Sequence, residues 1–312
     1  MKTLVIAIGG NSLIKDAGHQ SVPDQYAAIV ETVRHITDLL ERGYRTVITH
    51  GNGPQVGFIL LRSEHSRGML HEVPLDSIVA DTQGAIGYQI QQALENEFRR
   101  RGLKKSVATV VTQTLVDQTD PAFARPDKPI GGFYTHEQAQ ERMRVEKWDM
   151  AEDAGRGWRR RVASPQPVRI IEAEAVQHLV KDGYVVIAAG GGGIPVVADE
   201  RGMLSGVSAV IDKDLASAAL ASQIGADLLV ISTSVERVCL NFGTPQERPL
   251  DRMTVAETKQ FMGEGQFAPG SMLPKVKACV QFVAGTARQA VITCPGALLN
   301  ALGGKSGTRV VP

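Results

Sequence analysis

The strongest constraint on the fold is a series of short, nearly unbroken apolar runs: "TLVIAI" (3–8), "YRTVIT" (44–49), "YVVIAA" (184–189), "DLLVIS" (227–232) and "QAVIT" (289–293). A strand with one wet face alternates apolar and polar residues, so runs that scarcely alternate belong to strands covered on both faces. The stretches between them carry a different period. From Asp24 to Arg42, Ile29, Val33, Ile36, Leu39 and Leu40 recur at steps of three and four, and Gly43 closes the pattern. That spacing predicts an amphipathic helix. Further helices are expected after "HGNGPQVG", around 75–100 and over 213–224, with another strand at "SVATVVTQ" (106–113). Strand and helix in alternation predict an α/β fold, a three-layer α/β/α sandwich around a mostly parallel sheet. At 312 residues, 43% of them hydrophobic, the chain can fill such a core.

One region breaks the rhythm. Residues 118–166 hold four prolines, both tryptophans and many charges, with no long apolar run. Ordered segments of that length are uncommon in loops without a function, so 118–166 is read as an inserted lid on a single domain spanning 1–312.

Glycines cluster where the strands end. Gly9-Gly10-Asn11 follows the first run, Gly51-Asn52-Gly53 the second, and Gly190 to Gly193 the run ending at Ala189. In a parallel sheet, ligands bind beyond the carboxyl ends of strands, where backbone N–H groups and helix amino termini face anions. Three glycine turns at equivalent ends therefore mark an anion-binding rim. Neither G-x-x-x-x-G-K-[ST] nor G-x-G-x-x-G occurs at the first turn, which disfavours a P-loop NTPase or a Rossmann dehydrogenase.

Three lysines sit in unusual places. Lys213 stands between Asp212 and Asp214 where the apolar run "VSAVI" (207–211), read as a strand or its tail, gives way to a helix. An aspartate there caps the helix, which leaves the lysine unexplained unless it contacts an anion. Asp214 would then hold cations in place, directly or through Mg²⁺. Lys128 lies between two prolines in "RPDKPIGG", and Lys275 lies just inside a helix signalled by Ser271 and Pro274. A cation at a helix amino terminus opposes the dipole and makes sense with an anion bound beside it. The arginines of "AGRGWRRRV" (Arg156, Arg159, Arg160, Arg161) read as a hinge making local ion pairs in preference to substrate contacts.

A net charge of +1 gives no global field to recruit nucleic acid or a membrane surface. No run reaches the length of a membrane helix, and the amino-terminal apolar run is cut short at Gly9-Gly10 before it reaches signal-peptide length. Cys239, Cys279 and Cys294 form no CxxC and no metal-like group. A cytoplasmic protein without disulfides is expected.

In this order "GGNSL", "HGNGPQVG", "TQGAIGY", "DKPIGGFY", "RRRVASPQP", "GGGGIPV", "AVIDKDLAS", "GSMLPKV" and "GKSGTRV" resemble carbamate kinases of the amino-acid kinase superfamily over essentially the whole chain. Many members of that superfamily carry a lysine two residues before the Gly-Gly pair; here Ala7 stands there, and Lys128 matches the lid lysine that replaces it. The resemblance implies reversible phosphoryl transfer between ATP and carbamate, giving ADP and carbamoyl phosphate, with Mg²⁺ accompanying the nucleotide. It implies a homodimer and a role in arginine breakdown or another route yielding carbamoyl phosphate. Residues 1–180 would bind carbamate and 181–312 the nucleotide. It gives catalytic roles to Lys128, Lys213, Asp214 and Lys275, with Asp214 keeping order among all three lysines. Gly9, Gly10, Asn11, Gly51, Asn52 and Gly53 would donate hydrogen bonds to carbamate and the transferring group. Gly191, Gly192, Lys213, Thr233, Ser234, Val238, Ser271 and Lys275 would bind nucleotide. Protein metal ligands are not expected apart from Asp214.

Two places depart from the family pattern. Ser234 stands where an aspartate is usual, with Cys239 in place of a frequent tyrosine, which bears on the base and ribose. Leu273 replaces a glycine beside Lys275, which would crowd the backbone approach to phosphate. A kinase for another small carboxylate, or a non-catalytic paralogue that binds nucleotide or carbamoyl phosphate, are the competing readings.

Overall fold

The computed structural model describes residues 1–10, 13–14, 16, 18–153 and 155–312. Its main sheet has eight strands. From edge to edge these are Arg252–Thr254, Thr308–Val311, Gln289–Thr293, Leu228–Ser232, Thr3–Ile8, Arg45–His50, Val185–Ile187 and Val107–Thr109. Every neighbouring pair is parallel except Gln289–Thr293 with Thr308–Val311.

The unbroken apolar runs now have their physical reason. Leu4, Ile6, Ile8, Ile48, Val185, Ile187 and Val230 face one layer, with helices Val22–Glu41 and Leu75–Arg101 over them. Val5, Ala7, Val47, Val186, Leu229, Ile231 and Ile292 face the other, under helices Ala173–Lys181, Lys213–Gln223 and Met272–Thr286. Successive side chains point to opposite faces, so both sets must be apolar, and the three-layer sandwich follows.

Two local expectations are corrected. The stretch 106–113 is not one strand. Val107–Thr109 ends the main sheet, and Gln113–Val116 joins a second sheet with Pro167–Ile170, Ile194–Ala198 and Leu204–Gly206. Gln83 makes the break possible, because its amide brackets Thr112 by accepting from the Thr112 N–H (2.8 Å) and donating to its carbonyl (3.0 Å). The run before Asp212 belongs to no ladder: it turns at Ser208, where the Ala209 N–H donates to the Val207 carbonyl (2.9 Å), and a single bridge joins Ala209 to Ala163.

The excursion forms a small antiparallel sheet of its own. Strand Trp158–Val162 lies between Lys128–Tyr134 and Asp149–Glu152, and helix His136–Glu146 lies beside them. It is seated on the body through an apolar seam in which Ile130 and Val162 meet Val56, Leu60 and Val210. A polar cluster continues the seam. The Tyr134 hydroxyl donates to both oxygens of Glu64 (3.1 Å), Arg67 pairs with Glu146 (2.5 Å), and Arg142 bonds Glu146 and Glu64. Burial first, and the Glu64 carboxylate with it, push the Tyr134 hydroxyl up to about 12, so it keeps the proton it donates.

In the arginine group, Arg159, Arg160 and Arg161 lie in the central strand of this sheet, and Arg156 lies in the turn that leads into it. Arg156 and Arg159 pair with Asp153, Arg161 pairs with Asp149, and Arg160 stacks over Trp148 at 4.4 Å. The local ion pairs expected of it are present.

Candidate active site

Three adjoining cavities run along the carboxyl ends of the central strands. The first, about 280 Å³, is lined by Gly10, Gly51, Asn52, Gly53, Lys128, Gly191, Asp212, Lys213, Asp214, Ser271 and Lys275, among others. The second, about 170 Å³, takes in Gly9, Gly10, Ser232, Thr233, Ser234, Lys213, Lys275 and Cys294. A third, about 480 Å³, has an apolar lining of Val235, Phe242, Phe267 and Met272, with Thr233, Ser234, Cys239, Gln266 and Ser271 around it. Gly10 and Lys275 border all three. The three lysines therefore come from positions 128, 213 and 275 to the wall of one cavity.

Helix Lys213–Gln223 starts at this wall. Asp212 is its N-cap, its Oδ1 accepting from the N–H of Asp214 (2.9 Å) and of Leu215 (3.3 Å), a strong local reason for the helix to begin there. The next two residues face the cleft. Asp214, its side chain only 3% exposed, accepts from Lys213 Nζ on Oδ1 (2.6 Å) and from Lys275 Nζ on Oδ2 (3.0 Å). Burial works against its ionisation, but the two ammonium groups overcome that and hold the carboxyl below the usual range. Lys275 reaches this point from the first turn of helix Met272–Thr286.

Asp214 does not order all three cations. Lys128 Nζ instead meets Asp212 Oδ2 at 3.2 Å. Sequence reasoning gave capping to an aspartate of this junction and no further role to Asp212, yet its two oxygens serve two purposes.

The glycine positions divide by role. Gly53 opens helix Gly53–His65, so its backbone N–H lies at a free helix end. Gly51 contributes room: its N–H already donates to the Ile8 carbonyl (3.3 Å), and a Cβ there would stand 3.3 Å from Lys213 Cδ. Asn52 is a brace, giving one amide hydrogen to Thr82 Oγ1 (2.8 Å) and standing against Gly191, where a Cβ would come within 2.0 Å of Asn52 Nδ2. Gly9 and Gly10 line the second cavity. Asn11 lies outside the described residues.

The expected nucleotide set is partly redistributed. Thr233, Ser234, Ser271 and Lys275 line the third cavity. Val238 does not, because in its strand it points into the core while its neighbour Cys239 faces outward. Gly191 borders the first cavity beside Asn52, away from the third, and Gly192 is enclosed against the Ile211 carbonyl. Phe242, Gln266 and Phe267 were missed, since nothing in the spacing of "CLNFGTPQ" or "GQFAPG" marks a pocket wall. Leu273 packs against the core and is absent from the lining of all three cavities, so it leaves the approach to Lys275 clear.

Asp214 does not fit the role of metal ligand, since both its oxygens already carry ammonium groups. Among the described residues no group of three His, Cys, Asp or Glu could hold a metal ion. Cys239, Cys279 and Cys294 are free thiols. Among the described residues no helix is long and apolar enough to cross a membrane.

His50 ends strand Arg45–His50, directly before Gly51 of the cavity lining. Burial drives its imidazole down to about 4, and Lys213 nearby adds to the effect, against a hydrogen bond to the Gly51 carbonyl (2.9 Å) that works the other way.

Residues 2–294 match the model of the amino acid kinase family. The chain is 51% identical to the carbamate kinase-like protein YahI of Escherichia coli, over 100% of this chain and 99% of that protein. It is 47% identical to the carbamate kinase of Thermococcus kodakarensis, with the same coverage. Among solved structures, the carbamate kinase of Giardia lamblia bound to AMP-PNP superposes with a TM-score of 0.94 at 40% identity, covering 99% of this chain and 98% of that one. The chain belongs to the amino acid kinase family, on its carbamate kinase branch.

Proposed function

We propose that this protein is a carbamate kinase, catalysing reversible phosphoryl transfer between ATP and carbamate. The observation that carries the reading is the meeting of Lys128, Lys213 and Lys275 on one cavity of about 280 Å³ that adjoins a larger apolar one. The apolar cavity suits a nucleoside, with phosphates extending to Gly10 and Lys275 where the cavities join.

In the ATP-forming direction a terminal oxygen of ADP attacks the phosphorus of carbamoyl phosphate. The new P–O bond forms as the old one breaks, and the leaving electron pair stays on carbamate. The nucleophile and the leaving group are both anions, so no side chain has to move a proton. What the reaction needs is alignment and positive charge around the transferring group. Lys213 and Lys275 would bear on the nucleotide phosphates and Lys128 on the carbamoyl side. Gly9, Gly10 and Gly53 would add backbone donors, and Asn11 and Asn52 side-chain amides. Because Asp214 is already engaged, Mg²⁺ would arrive on the nucleotide phosphates and keep its remaining ligands as water. The excursion would act as a lid that brings Lys128 over the acceptor. The half up to about residue 180 would take carbamate and the rest the nucleotide.

The test is ATP formation from carbamoyl phosphate and MgADP, run beside a panel of other small carboxylates with MgATP. Lys213→Ala should lose about a thousandfold in turnover; normal turnover by that variant overturns these roles. A second reading, a kinase for another small carboxylate, draws on the 51% identity to a protein named only carbamate kinase-like. It gains if another acceptor outruns carbamate. We also infer a cytoplasmic homodimer serving arginine or other carbamoyl-phosphate breakdown; sedimentation of the purified protein tests the dimer.

A further inference from the structure

Asp212 holds the helix start with one carboxylate oxygen and a lysine from the excursion with the other. Its Oδ1 is fixed by two backbone N–H groups at the amino end of helix Lys213–Gln223. That bond sets the plane of the carboxylate and leaves Oδ2 aimed across the cavity. There it accepts from Lys128 Nζ at 3.2 Å, from a residue 84 positions away in the sheet of the excursion. Lys128 opens its strand between Pro126 and Pro129, so its backbone is constrained while its side chain stays 33% exposed and rotatable. A long ammonium, one third exposed and with one anchor among the described residues, takes its direction from that anchor. Among the described residues the cavity wall carries three ammonium groups and two carboxylates, a net charge of +1. Removing one carboxylate would raise the attraction for an anion while loosening the cation that must be aimed at it.

We propose that Asp212 is a positioning residue that aims Lys128 at the acceptor side of the transferring phosphoryl group, and that its capping bond is what makes the aim rigid. The proposal rests on the carbamate kinase reading for its kinetics and deepens it. It separates two properties that the sequence merges, since a cap needs only an oxygen whereas an aim needs the charge.

The experiment compares Asp212→Asn, which keeps a capping oxygen and loses the charge, with Asp212→Ala, which loses both. Asp212→Ser serves as a second cap-preserving variant should the asparagine fail to fold. Turnover with carbamoyl phosphate and MgADP is measured with lysine and with alanine at position 128. Acylation of individual lysines by acetic anhydride is followed by mass spectrometry. Asp212→Asn should slow kcat at least tenfold while KM for carbamoyl phosphate moves less than threefold, with the melting temperature held within about 2 °C. On the Lys128→Ala background it should cost nothing further. Acylation of Lys128 should rise severalfold with Lys275 unchanged. Wild-type kcat in Asp212→Asn, a loss that adds to that of Lys128→Ala, or unchanged labelling of Lys128 each overturns the proposal. If the wild-type chain makes no ATP from carbamoyl phosphate, the carbamate reading fails alone, and the labelling ratio still decides for or against Asp212.

Discussion

The cleft has a floor and a cover, and they are held by different kinds of force. On the floor, Asp214 is 3% exposed and clamps two lysines that are each 15% exposed, all on helices packed into the larger core. On the cover, Lys128 is 33% exposed, makes one ion pair among the described residues, and rides on a small sheet docked by a short apolar seam and a group of ion pairs. A buried pair is costly to break because the remaining charge is stranded out of water, whereas an exposed one contributes little. The floor is therefore held by buried charge, and the lysine of the cover by a single pair among the described residues, one that solvent reaches.

The largest effect should come from the floor. Asp214→Asn leaves Lys213 and Lys275 facing each other without a counter-charge inside the core. Turnover should drop by about a thousandfold, near 4 kcal/mol, with a loss of stability of similar order. Steady-state kinetics and urea unfolding check both, and a variant within tenfold of the parent would show that the lysines hold their places unaided.

The cover should answer more gently and through a different parameter. Arg67, on the body, pairs with Glu146 of the excursion and with Glu72, and its side chain is 35% exposed. Arg67→Ala should raise KM for carbamoyl phosphate two- to fivefold and leave kcat within a factor of two. A fall in kcat matching that of Asp214→Asn would erase the distinction between floor and cover.

Sequence made the floor largely visible and the cover only in outline. The sheet could be read because burial on both faces forces unbroken apolar runs, as in Thr3–Ile8 and Leu228–Ser232. Lys213 and Lys275 stood out because each is a cation among cap residues. What stayed hidden depends on pairs far apart in the chain. Lys128 meets Asp212 across 84 residues and Arg67 meets Glu146 across 79, and no local spacing records either. Val238 illustrates a smaller slip, since side chains alternate across a strand and its neighbour Cys239 is the one facing the cleft. Gly51 was read as a donor when its service is the absence of a side chain beside Lys213.

Acid should also probe the floor, through His50. Its folded value, about 4, lies below the ordinary 6.5, so the unfolded chain binds the extra proton across that interval. Stability is then full above pH 6.5 and declines as pH falls from 6.5 toward 4, by at most about 3 kcal/mol. Glu97, held down to about 2 by Arg100 first and Arg101 as well, against the opposing effect of burial, adds its own loss in the separate window from 4.5 to 2. Denaturant unfolding at a series of pH values should show a slope between 6.5 and 4 that shrinks in His50→Gln. An unchanged slope in that variant would place the acid sensitivity elsewhere.

The smallest effect on activity is expected at Leu273, and it sharpens the comparison because the residue shares the first turn of its helix with Lys275 without lining the cleft. Its side chain packs against the core and stays off the cleft, so it is held by the same layer that holds Lys275. Leu273→Gly should cost about 1–2 kcal/mol from lost apolar contact and the looser helix start, lowering the melting temperature by about 2–4 °C. Turnover and KM for ADP should stay within a factor of two. A severalfold gain in either would mean that the leucine does hinder the phosphate approach, and that the floor is less settled than its buried carboxylate implies.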